Sequence, residues 1–301
     1  RPLVDSTRSK LETLAAEYLS PNDDSGNSNY EHLTVFIDPI DGTREFSSGK
    51  GEQCSICIGF ANEHGKSVGG VVYRPLSLPK PTWVAGAKSE QYAVCDFGEN
   101  RVISSDGEMI GLDKKKRGGL LTTNGSISPF VESLIEELKF DRVKSGGAGN
   151  KMMLLLESSI SDSSNSMLYI QDRGVSRWDT CAAEACLESF GGKLMKLTPL
   201  VEETGEDDHG EAQNDELYTY LASETNLDFI PGRANLTKYN CRSSTIDLQP
   251  GQKAVNAAQV KPYSNLCGLV AIGSEWNTIE EEAQIKEAIR RAGTRNLPSF
   301  D

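Results

Sequence analysis

The sequence predicts an α/β protein whose first half is α+β in character, and two observations carry the prediction. Between Leu33 and about Val102 the chain reads mostly as strands separated by turn residues. From Gly119 onward the pattern changes to alternating strand and helix, as expected of an α/β layer. The chain therefore divides into an N-terminal part at 1–117 and a C-terminal part at 118–301, and its 301 residues suffice for one large or two ordinary domains.

Taken in order, a helix is expected from about Ser6 to Leu19, with Leu11, Leu14, Ala15 and Tyr18 on its inner face and Glu12 and Glu17 toward solvent. Thr34–Asp38 follows as a short buried strand, then strands at Cys54–Ala61 and Ser67–Arg74 joined by a hairpin turn at Asn62–Lys66. Further strands are expected at Thr82–Ala85 and Gln91–Val94. Asp106–Gly119, with the basic run Lys114–Arg117, reads as a solvated link. Gly119–Thr123 is a strand, and Ser128 with Pro129 opens a helix that faces inward through Phe130, Leu134 and Leu138. The apolar helix Met152–Glu157, the strand Met167–Gln171 and a helix from Ser176 to about Phe190 come next, the last facing inward through Trp178, Ala182, Ala185 and Phe190. Val201–Glu216 is acidic, nearly free of apolar residues, and reads as a disordered insertion. Asn240–Val260 is a second polar stretch, and Cys267–Gly273 returns as a core strand. A last helix opens on the capping box Thr278-Ile279-Glu280-Glu281 and runs to about Ala292.

Three segments carry chemistry. Asp38-Pro39-Ile40-Asp41-Gly42-Thr43 sets two carboxylates three positions apart at the end of the first strand. A turn there throws both to one side, where a hard cation such as Mg²⁺ uses their oxygens, with the Ile40 carbonyl as another ligand. Gly42 and Thr43 add backbone N–H groups and a hydroxyl that suit a phosphate beside the metal. An ordinary surface turn would use the same Asp, Pro and Gly. Asp179 lies in the first turn of the Ser176 helix, favoured there by the helix dipole, and an S-x-x-D capping box explains it equally well. Ser145-Gly146-Gly147-Ala148-Gly149-Asn150-Lys151 allows close approach of a ligand to the backbone, and Lys151 can neutralise a phosphate. The Walker spacing is absent, and a plain glycine-rich strand-to-helix turn has the same composition.

Together, D-P-I-D-G-T and W-D-T-C-A-A, about a domain's length apart, closely resemble the paired signatures of the Mg²⁺-dependent, lithium-sensitive phosphatase superfamily. That superfamily includes inositol monophosphatases, inositol polyphosphate 1-phosphatases, fructose-1,6-bisphosphatases and 3'(2'),5'-bisphosphate nucleotidases. Gly146–Lys151, Asp38–Phe46 and Gly191–Leu194 are similar to the nucleotidase branch. Gln53–Gly59 and the stretch beyond Leu194 resemble inositol polyphosphate 1-phosphatases. The resemblance implies a layered α-β-α-β-α fold and Mg²⁺-assisted hydrolysis of a small phosphorylated substrate. The leading expectation is removal of the 3'-phosphate of adenosine 3',5'-bisphosphate. The alternatives are an inositol polyphosphate 1-phosphatase and a catalytically weak homologue that only binds phosphorylated ligands. It implies two or three Mg²⁺ ions held by Asp38, Asp41, Asp179 and the Ile40 carbonyl, with Thr43 helping to orient the attacking water. It implies substrate contacts from Gly42, Thr43, Thr123, Ser126, Ser128, Gly147, Lys151 and Arg177. Members of the superfamily also carry a metal-binding Glu in an acidic run upstream of the D-P-x-D-G-T segment. Before Asp38 only Asp23-Asp24 pairs acids, in a loop-like stretch, so the sequence reads as N-terminally incomplete.

Composition narrows the remaining classes. A net charge of −13 argues against nonspecific nucleic-acid binding, for which a basic stripe is expected. Metal ions in a carboxylate cluster would invert the local sign, so an anionic substrate remains compatible. No apolar run approaches the roughly 20 residues of a membrane span, and a cytoplasmic enzyme is expected. Seven cysteines form no disulfide framework and read as reduced, mostly buried thiols, with Cys54 and Cys57 on opposite sides of one strand. Gly65-Lys66-Ser67-Val68-Gly69 matches a nucleophile elbow as a string, yet it lies between two strands where an elbow needs a strand and then a helix. His32, His64 and His209 have no metal-ligand spacing.

Overall fold

The computed structural model describes residues 33–88, 92–96, 101–104, 118–160, 166–172, 175–201, 217–221, 238–241, 244–247, 268–276 and 278–296. The expected helix at 6–19, the Asp23-Asp24 loop, the basic link and the acidic insertion after Val201 lie outside these residues, as do His32 and His209.

The first sheet is an antiparallel meander of six strands in sequence order. It comprises β1 (Thr34–Asp41), β2 (Ser55–Ala61), β3 (Ser67–Arg74), β4 (Thr82–Ala87), β5 (Tyr92–Cys95) and β6 (Arg101–Ser104). A short helix α1 (Thr43–Ser47) follows β1 directly. Asn62 and Lys66 close the β2–β3 hairpin by an N–H to carbonyl bond of 2.9 Å, which removes the nucleophile-elbow reading. Two features differ from expectation. β1 is longer than Thr34–Asp38, and it is not buried on both faces: Phe36 is 4% exposed, whereas Val35 and Ile37 are 50% and 58% exposed. Side chains alternate across a strand, so one face packs inward while the other does not. Cys54 precedes β2 instead of lying on it, and both Cys54 and Cys57 are buried.

The second sheet has the order β10-β13-β9-β7-β8. β7 (Gly119–Thr122) leads into α2 (Pro129–Leu138), which Ser128 caps by accepting the Val131 N–H. Then come β8 (Asp141–Lys144), α3 (Ala148–Ile160), β9 (Met167–Gln171), α4 (Cys181–Ser189), β10 (Lys193–Lys196) and α5 (Leu197–Val201). A small hairpin, β11 (Lys238–Cys241) and β12 (Ser244–Asp247), occupies part of the stretch expected to be merely polar. β13 (Leu269–Ile272) and α6 (Ile279–Arg295) complete the chain. β7 pairs in parallel with β8 and β9, while β13 runs antiparallel to β9 and β10.

Two apolar clusters bind these pieces into layers. One face of the second sheet packs Leu120, Leu168, Ile170 and Val270 against Phe130 and Leu134 of α2 and Ile285 and Ile289 of α6. Each such fully buried side chain contributes about 1.5–3 kcal/mol relative to exposure. The other face packs Leu121, Tyr169 and Ala271 against Met152 and Leu155 of α3 and Cys186 and Leu187 of α4, which in turn meet Cys57, Val72 and Val84 of the first sheet. The described residues thus stack as sheet, helices, sheet, helices. The helical layer expected before the first sheet falls on residues outside the described set. Among the described residues no helix is long and apolar enough to cross a membrane.

α4 lies against the first sheet at backbone contact. Gly59, Gly70 and Gly86 stand opposite one another across β2, β3 and β4. A methyl group on them would come within 2.5 Å of Ala182 N, 2.5 Å of Ala182 Cα and 2.8 Å of Cys186 Cα respectively. Sandwiched in this way, α4 buries all its residues but Glu188, so its sequence of Ala and Cys shows no single inner face.

A strap at 217–221 ties the start of α4 to the hairpin. The Tyr220 N–H donates to the Gly65 carbonyl at 2.8 Å, and Leu217 bridges Met195. The Tyr220 hydroxyl donates to Glu184 and lies 3.3 Å from Thr180 Oγ1.

Candidate functional site

Residues three apart on a regular strand face opposite sides. Asp38 pairs with Cys57 and Asp41 with Ser55, so β1 carries one more residue than β2 between the two pairs. This bulge returns Asp41 to the face that Asp38 occupies. Pro39 has no N–H to leave unpaired, and the Ile40 N–H donates to Asp38 Oδ1 at 3.0 Å. The Asp-Pro-Ile-Asp segment therefore does what the sequence reading asked of a turn, but within the strand.

Asp179 reaches the same place from the other side. The chain after β9 makes a 3₁₀ turn at Arg177–Asp179 before α4, instead of one continuous helix. The expected capping box is present: the Ser176 N–H donates to Asp179 Oδ2 at 2.8 Å. The box leaves Asp179 within the carboxylate cluster: Asp38, Asp41 and Asp179 each offer a carboxylate oxygen, these lie within 4.8 Å of one another, and together they could hold a metal ion. Asp41 and Asp179 are buried and Asp38 half-buried.

Asp41 is held by three donors. Ser55 Oγ donates to Oδ2 at 2.8 Å, the Gly149 N–H to Oδ2 at 2.8 Å and the Ala148 N–H to Oδ1 at 3.1 Å. The carboxylate thus occupies the N-terminus of α3, where orphan N–H groups and the helix dipole favour an anion. Burial pushes its pKa above the ordinary carboxylate value, helped by the Asp38 charge and opposed by the bonds from Ser55, Ala148 and Gly149. This revises one expectation for the glycine-rich segment: its Ala148 and Gly149 amides face a carboxylate of the protein.

A cavity of about 520 Å³ opens beside Asp41 and Asp179, and Asp38 stands outside its wall. Of the expected residues, Asp41, Gly42, Thr43, Thr123, Ser126, Gly147, Lys151 and Asp179 line it. Lys151 is 4% exposed; its ammonium donates to Gln171 Oε1 at 3.2 Å and lies 4.7 Å from the Tyr169 ring centroid. Burial lowers its pKa to about 8, with Asp41, Glu45 and Asp179 pulling the other way. Ile40 is 44% exposed and outside the lining.

Arg177 departs from the expectation of a substrate contact. It is fully buried, absent from the cavity wall, and donates from Nη1 to the Leu221 carbonyl at 2.5 Å. Ser128 is likewise not in the wall; it caps α2 and donates to Asp172. Conversely, Arg44, Glu45 and Asp172 line the cavity without having been singled out. Arg44 and Glu45 follow Thr43 directly, so adjacency to the motif was the available signal. Asp172 carries no local signature.

Residues 5–226 match the Inositol monophosphatase family. The 3'(2'),5'-bisphosphate nucleotidase 1 of Mus musculus is 30% identical over 178 residues, 56% of this chain and 51% of that protein. The Golgi-resident adenosine 3',5'-bisphosphate 3'-phosphatase of Rattus norvegicus is 27% identical over 173 residues, 56% of this chain and 43% of that protein. The chain thus spans about half the length of these curated relatives. A crystal structure of staphylococcal IMPase-I complexed with products superposes with a TM-score of 0.50 at 13% identity, covering 99% of this chain and 82% of that one, a likeness of fold. With the family's match extending over most of its length and three carboxylates gathered where the two signatures meet, this chain belongs to the inositol monophosphatase family.

Proposed function

We propose that the protein is an Mg²⁺-dependent phosphatase that removes the 3'-phosphate of adenosine 3',5'-bisphosphate. The observation that carries this reading is the convergence of Asp38, Asp41 and Asp179, two of which, Asp41 and Asp179, line a cavity together with Thr43 and Lys151. The donor set fits the ion: three carboxylates are hard oxygen ligands, and Asp38, Asp41 and Asp179 are each oriented by a backbone N–H. Bound there with the Ile40 carbonyl as a further ligand, two or three Mg²⁺ ions supply water activation and charge neutralisation.

The chain's own groups do the rest. Gly42 and Thr43 present N–H groups to the phosphate, and the Thr43 hydroxyl orients the attacking water. Lys151 offsets the charge of a second phosphate, as does Arg44 at the cavity wall. Thr123 and Ser126 offer hydroxyls to the sugar. The nucleotide substrate is favoured by the names of the relatives, bisphosphate nucleotidases and an adenosine 3',5'-bisphosphate phosphatase. A cytoplasmic place of action belongs to the same reading.

The test is phosphate release by the protein from adenosine 3',5'-bisphosphate and from inositol 1,4-bisphosphate. Controls are Mg²⁺ omission, lithium and Asp38→Asn. Release from the nucleotide that needs Mg²⁺ and Asp38 supports the proposal. Preference for the inositol phosphate overturns the substrate, and silence with both overturns the activity.

A further inference from the structure

The carboxylates belong to different layers: Asp38 and Asp41 to the first sheet, Asp179 to the segment leaving the second. The two sheets share no strand pairing. Something other than a backbone ladder must hold the glycine-rich segment against Asp41.

Gln53, in the 3₁₀ turn before β2, stands between the layers. Its side-chain Oε1 accepts the Gly146 N–H at 2.7 Å and the Asn124 Nδ2 at 2.7 Å. Both partners are donors, which settles which end of the amide faces them. Asn124 lies just beyond β7 and Gly146 just beyond β8, both in the second half of the chain. Asn124 Nδ2 also lies 3.2 Å from Glu45 Oε1, so one amide links the segment after Thr43 to Gln53. Contact is close throughout. A methyl group on Gly146 would fall 2.1 Å from Glu45 Cγ, and one on Gly147, whose φ is +66°, would fall 2.7 Å from the Gln53 carbonyl oxygen. Two residues further on, the Ala148 and Gly149 amides meet Asp41.

The geometry points to Gln53 as a positioning residue: by accepting from Gly146 and Asn124 it sets the glycine-rich segment so that the Ala148 and Gly149 amides hold Asp41. It does not line the cavity and touches no reacting group. Its contribution to metal binding rests on the reading of Asp41 as a metal carboxylate. Its effect on the segment does not.

The experiment therefore reads both in the full-length protein. Backbone amide hydrogen exchange by NMR is measured in the parent, Gln53→Ala and Gln53→Glu, alongside Mn²⁺ titration by calorimetry. Gln53→Glu retains side-chain oxygens for both donors. In Gln53→Ala the Gly146 amide loses its acceptor and exchanges faster on any account. Positioning further requires that Ala148 and Gly149, whose acceptor Asp41 is untouched, exchange faster by about tenfold, with Mn²⁺ affinity down by about tenfold, and that Gln53→Glu restores both. Unchanged exchange at Ala148 and Gly149, or a Gln53→Glu protein as impaired as Gln53→Ala, overturns the inference. A parent that binds no Mn²⁺ while the exchange pattern holds sinks the metal reading and leaves the positioning role standing. The Leu134 amide in α2 serves as the folding control. If Gln53→Ala does not fold, Asn124→Ala replaces it, with faster exchange at Ala148 and Gly149 again expected and its absence again decisive.

Discussion

Gly149 donates its backbone N–H to the carboxylate of Asp41 at 2.8 Å, joining positions 108 residues apart in sequence. The contact leaves no room for a side chain at 149. A methyl group there would meet Cys57 Sγ at 2.7 Å, Ser55 Oγ at 2.8 Å and Asp41 Oδ2 at 3.2 Å. Gly149→Ala should therefore push the start of α3 off Asp41, destabilising the fold by about 1–3 kcal/mol and weakening Mn²⁺ binding. Urea unfolding and calorimetry on the same variant check both, and an unchanged metal affinity would contradict the account.

Asp179 completes the carboxylate set from the opposite layer. Asp179→Asn should lower Mn²⁺ affinity by at least about tenfold, since even groups one shell further out cost that much. Phosphate release should fall with it. Titration of the variant against the parent decides, and equal affinities would remove Asp179 from the ligand set.

Lys151 is the buried cation of the cavity, with its pKa lowered to about 8 by burial. Below that pH the ammonium is charged and, on the proposed reading, would attract a phosphate. As pH rises through about 8 the charge is lost, so KM for the substrate should climb by up to about tenfold per pH unit. Lys151→Met should raise KM at pH 7 and flatten this rise. Profiles between pH 6.5 and 9.5 that overlay for the two proteins would exclude the role.

Glu184 sits under Tyr220, and burial holds its carboxyl well above the ordinary range, with the Glu188 charge adding to the rise. Its folded form binds a proton that the unfolded chain releases near pH 4.5. Its contribution is therefore fully present below that pH and is lost as pH rises toward the folded value. Glu184→Gln keeps an acceptor for the Tyr220 hydroxyl and has no proton to lose. The variant should gain stability relative to the parent as pH rises from 5 to 8, measured by urea unfolding at each pH. A constant difference would mean that Glu184 does not titrate between the two states.

Much of the candidate site is legible in the sequence, and the reason is local chemistry. Asp38, Asp41 and Asp179 each sit where strand end, glycine or helix start is written in adjacent residues. The same holds for the Ser128 and Thr278 caps, each of which accepts the expected backbone N–H. The place of Arg177 is not legible, because a cation beside Asp179 suggests a phosphate, whereas its environment is fixed by a strap more than forty residues later. β6, β8 and β10 are not legible because each is only four residues long and opens on a charged residue, whereas the equally short β5, β7 and β13 carry no charge and stand out as apolar runs. The roles of Gln53 and Asn124 depend on two sheets meeting, which no window along the chain contains.

The glycines at 59, 70 and 86 lie outside the cavity wall, yet they act as the gauge of the carboxylate cluster. They let α4 rest directly on the first sheet, and α4 begins just after Asp179 while the sheet ends its first strand at Asp41. The gap between carboxylates from two layers is thus set by three absent methyl groups. A substitution at any of them would act as a shim, widening that gap from a distance and impairing the chemistry with every carboxylate intact.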